Sequence, residues 1–247
     1  MGLFDKLKGM GGNTLYYPGC LTKFVGKDLE DNYKKIFNKI GIDFIQLKDL
    51  EVCCGSPILN AGYKEEAINL ARKNFKVFKE HGVKKIITAC PSCYYMFDKI
   101  YPSLLKDWDI NVEHATQVIA RAIKEKKINP KNINFDITYH DPCHLGRYST
   151  VYSQPREIIS SFGNLKEMKL NKNYSFCCGG GSGVKTNYPK LAKSASKERI
   201  KMAKETNADF LTTSCPMCFY HLKENAGDLK VKELSELLLE SLEKNGE

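Results

Sequence analysis

The chain has 247 residues, 42% of them apolar, and a net charge of +9 from 38 Lys and Arg against 29 Asp and Glu. That apolar fraction supports packed cores, but no window approaches the roughly 20 consecutive apolar residues of a membrane span. The N-terminal Met1-Gly2-Leu3-Phe4-Asp5-Lys6-Leu7-Lys8 lacks the apolar centre and cleavage site of a signal peptide, so a soluble, cytoplasmic protein is expected. The basic residues are spread along predicted helices, as on a solvated surface, and the excess favours acidic protein partners or an anionic substrate. There is no nucleic-acid motif, and the aromatics sit mostly at core-like spacing.

Residues 1–13 read as a lead-in ending in Gly11-Gly12. Thr14 to Tyr17 is a predicted strand stopped by Pro18-Gly19-Cys20. Residues 28–40 carry Leu29, Tyr33, Ile36, Phe37 and Ile40 at helical spacing, with Gly41 in the position that ends a helix. Ile42 to Leu47 is a second strand leading to Cys53-Cys54-Gly55. A helix over 64–81, with Ala67, Ile68, Ala71, Phe75 and Phe78 on one face, ends at Gly82. Lys85 to Ala89 is a third strand running into Cys90-Pro91-Ser92-Cys93, and Tyr94 to Tyr101 continue as a helix. A strand at Asn111 to Glu113 and a helix from Thr116 to Lys126 close the first half, and Asn129 to Asn134 is the linker.

The second half replays this order. Phe135 to Tyr139 is the strand before Cys143, Gln154 to Phe162 is helical, and Leu165 to Met168 is a weak strand before Cys177. Pro189 opens a helix to Lys204, and Asp209 to Thr213 is the strand before Cys215. Lys230 to Lys232 and Leu234 to Leu242 match the closing strand and helix. The expected fold class is α/β, with two pseudo-symmetric repeats, each a small parallel sheet flanked by helices and joined by right-handed crossovers.

All ten cysteines fall into two matching sets: Cys20, Cys53, Cys54, Cys90 and Cys93, then Cys143, Cys177, Cys178, Cys215 and Cys218. Matching members lie 123, 124 and 125 residues apart (Cys20 to Cys143, Cys53 to Cys177, Cys90 to Cys215), a period that fits two whole folding units rather than a solenoid. Each set combines a single cysteine, a Cys-Cys-Gly turn and a C-x-x-C that opens a helix. Every member follows a strand, so each set converges on the C-terminal edge of its sheet, where open α/β sheets bind ligands. In a reducing compartment such ordered cysteines point to metal ligation or thiol chemistry before disulfides.

Thiolate-only sites select zinc or iron–sulfur centres. Structural zinc takes four ligands and would leave a fifth cysteine over in each half. Five cysteines with an adjacent pair therefore favour an iron–sulfur cluster of unusual build, with one cysteine able to bridge two irons, and zinc is the alternative.

Tyr139-His140-Asp141-Pro142-Cys143-His144-Leu145-Gly146-Arg147-Tyr148, Cys177-Cys178-Gly179-Gly180-Gly181-Ser182-Gly183 and Ser214-Cys215-Pro216-Met217-Cys218 resemble the cysteine-rich CCG domains of the heterodisulfide reductase family, most nearly its catalytic D-type polypeptide. The resemblance places a first domain at 14–128 and a second at 135–243. It implies a non-cubane [4Fe-4S] cluster on each five-cysteine set, with a small disulfide substrate cleaved between the two. Zinc in one site is known among such relatives, and the first set, followed by Gly55-Ser56-Pro57 instead of a glycine run, is where it is allowed for. The ferredoxin-like region of the D type has no counterpart here. The arrangement is therefore expected to resemble the separate B-type polypeptide, taking electrons from a ferredoxin-like iron–sulfur subunit and a flavoprotein. Two other readings are an electron-transfer subunit of a flavin dehydrogenase or membrane complex, without a disulfide substrate, and a zinc scaffold.

His140 and His144 flank Cys143. Either suits a hydrogen bond that orients the loop, and His144 is the candidate proton donor to a departing thiolate. Arg147 is the candidate for binding an anionic substrate, or it pairs with a carboxylate on the following helix. His81 reads as a helix C-terminal residue, and His114 and His221 carry no motif. The glycines after Cys178 lack the frame of a phosphate-binding loop and instead allow close backbone approach or open space for substrate, which favours the second half for binding. Because a disulfide offers two sulfurs about 2.05 Å apart, the two cysteine-bearing edges are expected to face each other.

Overall fold

A computed structural model of the chain describes residues 12–243; the predicted lead-in lies, up to residue 11, outside the described residues. The first half contains strands β1 (Asn13–Tyr16), β2 (Val83–Thr88) and β3 (Asn111–His114), all parallel and paired in that order. The second contains β4 (Asp136–Tyr139), β5 (Asn164–Leu165), β6 (Phe210–Thr213) and β7 (Lys230–Glu233) in the order β5-β4-β6-β7, again parallel. The first sheet has the same plan, but the strand predicted over Ile42 to Leu47 is only a bridge. Ile45 pairs with Leu15, with Tyr16 N–H donating to Ile45 C=O at 3.0 Å and Ile45 N–H to Thr14 C=O at 2.8 Å. At this edge the chain emerges from a left-handed turn at Gly41, meets β1 at that one bridge and turns again at Lys48.

Helix α1 (Cys20–Phe24) is a short turn that no sequence pattern marks, and α2 (Lys27–Ile40) follows it. Helix α2 buries Leu29, Tyr33, Ile36, Phe37 and Ile40, and Gly41, at φ 79°, ends it by donating its N–H to Asn38 and Phe37 carbonyls. Helix α3 (Ser56–Asn60), also unforeseen, precedes α4 (Lys64–Glu80). Helix α5 (Pro91–Tyr95) begins at the C-x-x-C and continues through a π-turn over Met96–Ile100 into α6 (Tyr101–Leu104). Pro102 has no N–H for the carbonyl four residues back and its ring crowds it, which accounts for the widened turn. Helix α7 (Ala115–Lys124) closes the half, with the His114 side chain accepting from Thr116 N–H at its N-terminus.

In the second half come α8 (Ser153–Ser160), the short α9 (Val184–Asn187), α10 (Pro189–Lys204), α11 (Pro216–Asn225) and α12 (Leu234–Glu243). Helices α2 and α7 pack against α12 and α8, so four helices, two from each half, lie between the two sheets. One core runs through this layer, holding Tyr33, Ile36, Phe37, Val118 and Ile119 from the first half and Ile158, Ile159, Phe162, Leu237 and Leu238 from the second. Across it the Tyr33 hydroxyl donates to Glu233 Oε1 at 2.7 Å. Each sheet's other face has its own core, around Phe78, Ile86 and Phe97 in one half and Ile200, Leu211 and Leu222 in the other. No helix among the described residues is long and apolar enough to cross a membrane.

Candidate metal centre

Sheet order decides where the cysteines meet. In each half the strand before the single cysteine and the strand before the C-x-x-C are neighbours, and a crevice opens at their C-terminal ends. Cys20 follows β1 and Cys90 follows β2; Cys143 follows β4 and Cys215 follows β6. Each Cys-Cys pair returns from the sheet edge and turns into the crevice at a glycine in left-handed conformation, Gly55 at φ 87° and Gly179 at φ 82°. At Gly179 a Cβ would lie 2.8 Å from Ala195 Cβ and 2.9 Å from Ala192 O, so the turn rests on the flank of α10. Cys90 and Cys215 cap α5 and α11, with Pro91 and Pro216 in the first turn.

Within each set the five thiols make one continuous chain of contacts. In the first half Cys20 meets Cys53, Cys53 meets Cys54, Cys54 meets Cys93 with sulfurs 3.4 Å apart, and Cys93 meets Cys90. The second half repeats it as Cys143, Cys177, Cys178, Cys218 and Cys215, with Cys178 and Cys218 sulfurs at 3.3 Å. All ten thiols are free. Hydrogen bonds from Cys20 and Cys54 pull Cys53 down to about 3, and those from Cys143 and Cys178 pull Cys177 far below the ordinary thiol range. Donating to Cys53 and Cys177 pushes Cys20 and Cys143 up, with burial adding to the rise. Backbone N–H groups point at the sulfurs: Gly55 at Cys53 (3.5 Å), Gly179 at Cys177 (3.4 Å), Gly180 at Cys178 (3.5 Å) and Cys218 at Cys215 (3.5 Å). Such donors stabilise sulfur that carries negative charge.

The surroundings differ between the halves. Behind the first set, Asn74 on α4 donates to the Cys53 carbonyl at 3.1 Å, Tyr101 donates to the Cys54 carbonyl at 3.2 Å, and Tyr17 donates to the Val52 carbonyl at 2.6 Å. Gly19 comes so close that a Cβ there would stand 3.2 Å from Cys93 Sγ. Behind the second set, the fully buried Arg199 on α10 donates to His140 Nδ1 at 3.0 Å, Leu170 O at 2.8 Å and Ser175 Oγ at 3.2 Å. A ring nitrogen of His140 and the sulfurs of Cys178 and Cys218 lie within 4.8 Å of one another. Burial, with the Arg199 charge, pushes His140 down to about 3, so it is neutral.

Of the other candidates, His144 places Nδ1 3.4 Å from Cys143 Sγ and packs its ring on Tyr148 and, across the two halves, on Tyr95. Burial lowers its pKa. Arg147 donates to the Ser175 carbonyl at 3.1 Å and pairs with no carboxylate among the described residues. The carboxylate-bound arginine of this region is Arg156, paired with Asp141 and Glu167. His114 is buried at a helix start, and the His221 side chain lies against Gly180, where a Cβ would meet it at 2.9 Å.

The two cysteine edges face each other. A cavity of about 110 Å³ adjoins Cys20, Cys54, Cys90 and Cys93, and one of about 360 Å³ adjoins all five cysteines of the second set together with His144 and Arg147. Ser92, Gly181, Ser182 and Met217 line both. Ser92 and Met217 hold the same place in their C-x-x-C turns, so each half contributes one such residue to the partition. Asn60 Nδ2 reaches Ser182 Oγ at 3.3 Å beside it. The spacing of the cysteines announced both sets; the partition and Arg199 had no motif to mark them.

Comparison with known proteins agrees with this plan. The cysteine-rich domain model CCG matches residues 14–98 and 137–223. The chain is 38% identical over 239 residues to the D polypeptide of the dihydromethanophenazine:CoB–CoM heterodisulfide reductase of Methanosarcina barkeri, covering 92% of this chain and 58% of that one. It is 33% identical to the B polypeptide of the CoM/CoB fumarate reductase of Methanothermobacter marburgensis, over 92% of this chain and 46% of that one. It is 30% identical to an EtfAB:quinone oxidoreductase of Syntrophomonas wolfei, over 93% of this chain and 34% of that one. The chain thus spans a little over half the length of its heterodisulfide reductase relatives. Among solved structures, a hypothetical protein from Helicobacter pylori shares the fold at a TM-score of 0.66 and 12% identity, over 94% of this chain and 49% of that one. With the two-sheet plan and both cysteine sets in place, the chain belongs to the cysteine-rich CCG domain family and carries the domain twice.

Proposed function

We propose that each five-cysteine set holds a non-cubane [4Fe-4S] cluster and that the chain reduces a small disulfide with electrons from a ferredoxin-like iron–sulfur subunit and a flavoprotein. The observation that carries this reading is that the two five-thiol sets open toward one another across a partition of four residues. The donor sets suit the cofactor: five soft sulfur donors in contact, with backbone N–H groups on them, exceed what structural zinc uses. When bound, the clusters supply the electrons and iron that accepts a thiolate sulfur. The chemistry balances as one disulfide, two electrons and two protons giving two thiols.

The protein's own groups do the rest. Cys20, Cys53, Cys54, Cys90 and Cys93 hold one cluster, and Cys143, Cys177, Cys178, Cys215 and Cys218 the other. His144, at the wall of the larger cavity, delivers a proton to a thiolate leaving the second set's side. Arg147, with no ion pair to satisfy it among the described residues, binds an anionic group of the substrate. The likeness to the EtfAB:quinone oxidoreductase favours a second reading, electron relay without a disulfide substrate.

Anaerobic purification with iron, sulfide and zinc assays, followed by disulfide reduction with a reduced viologen, tests these readings. Two clusters give about eight irons and eight sulfides per chain. Cys178→Ser removes or converts the second cluster, abolishes disulfide reduction and leaves the first cluster in place. Iron-loaded protein that reduces no disulfide supports relay, and stoichiometric zinc without iron removes both readings.

A further inference from the structure

The two cysteine sets are built alike, but the buried groups behind them differ in charge. Tyr17 stands three residues before Cys20, and His140 stands three residues before Cys143. Asn74 stands 20 residues after Cys54 on α4, and Arg199 stands 21 residues after Cys178 on α10. Both are fully buried and both brace the segment around the Cys-Cys pair. The first set is thus backed by a neutral amide and two phenols, and the second by a guanidinium.

Among the described residues no carboxylate pairs with Arg199. Its hydrogen bonds go to an imidazole nitrogen, a carbonyl, a thioether and a hydroxyl. Asp141, the nearby carboxylate, is bound through both oxygens by Arg156. Because Arg199 donates to His140 Nδ1, the neutral imidazole carries its proton on Nε2, a buried atom with no hydrogen-bond partner among the described residues. The ring lies beside Cys178 and Cys218. One guanidinium therefore does two things: it places a fixed positive charge behind the second set and sets the tautomer of the imidazole that lies beside its sulfurs.

We propose that Arg199, a positioning residue acting through His140, holds the metal centre of the second set at a higher reduction potential than that of the first, so that the first electron to enter the chain resides at the second set. Adding one electron makes a cluster more negative by one charge. A buried cation favours that state and is not screened by solvent as a surface charge is, and the polar imidazole it holds beside the sulfurs adds to the effect. The step is a single-electron transfer from an external donor, with no bond broken and no proton taken up. It rests on both sets holding iron–sulfur clusters, and it is independent of a disulfide substrate.

A mediated anaerobic titration of the full chain with dithionite, followed by electron paramagnetic resonance and visible absorption after metal assay, tests it. The native chain should reduce in two resolved one-electron steps. Arg199→Gln should weaken the upper step at least tenfold in its equilibrium constant, about 59 mV, and leave the lower step in place. Arg199→Lys, which keeps the charge, should recover most of the loss. His140→Phe, which removes the polar imidazole, should also lower the upper step, and it serves if Arg199→Gln does not fold. Coincident steps in the native chain overturn the proposal, as does an Arg199→Gln or His140→Phe variant that moves neither step or both equally. In that case eight irons per chain would leave the two-cluster reading standing, whereas zinc in either set would remove both together.

Discussion

Glu233 is fully buried at the junction of the two halves, where its carboxylate accepts from Tyr33 and from the Ser235 N–H at 2.7 Å. Burial outweighs these hydrogen bonds and pushes it up to about 7. A carboxyl that binds its proton more tightly in the folded than in the unfolded chain stabilises the fold at low pH. That contribution is lost as pH rises from about 4.5 through about 7. Glu51 is pushed up to about 7 by burial in the same way, while His114 and His140, both lowered to about 3 by burial, act in the opposite sense and cost stability as pH falls below about 6.5. The difference between variant and native isolates one group. Glu233→Gln should gain on the native chain between pH 5 and 7 by an amount on the order of 3 kcal/mol and then level off. Denaturant titrations across this range measure it, and a difference that does not change with pH would place the Glu233 proton elsewhere.

The element on which both sites turn is the Cys-Cys-Gly corner, and the two copies differ in what lies behind the glycine. At Gly55 the nearest atom to an added Cβ is 3.6 Å away, so Gly55→Ala meets only the strain of a left-handed residue, about 1–2 kcal/mol. At Gly179 the same strain is joined by overlap with the α10 backbone, for a total of roughly 3 kcal/mol. Gly179→Ala should therefore displace Cys177 and Cys178 and empty the second set of metal. Gly55→Ala should keep the first set loaded at a modest loss of stability. Metal content and chemical denaturation of the two variants compare them, and equal losses would mean that the contact with α10 is not what holds the second corner.

At the scale of the whole molecule, the four helices between the sheets make the halves one cooperative structure. Leu238, fully buried on α12, belongs to the core that also contains Tyr33 and Phe37 of the first half. Leu238→Ala should cost about 2–5 kcal/mol and shift a single unfolding transition seen equally by probes in either half. Two separated transitions, only one of them moved, would show that the halves unfold independently. The same packing, α2 on α12 and α7 on α8, joins the two sheets whose cysteine edges face each other.

What the sequence by itself determined is what local pattern encodes. The duplicated cysteine intervals marked two sites, and the strands before Cys20, Cys90, Cys143 and Cys215 put those cysteines at the C-terminal edges of their sheets. Gly41, Gly82 and Pro189 bounded their helices, because left-handed glycines and N-terminal prolines act within a few residues. Where long-range pairing decides, the pattern ran out: Ile42 to Leu47 has strand composition but meets β1 at a single bridge. Tertiary structure alone decided that the two edges face one another, that Ser92 and Met217 form the wall between them, and that Arg199 lies beneath the second set. Periodicity tells which face of a helix is apolar, not which element will cover it. On the lysine-rich α10 a basic residue reads as solvated surface until the fold buries it against His140.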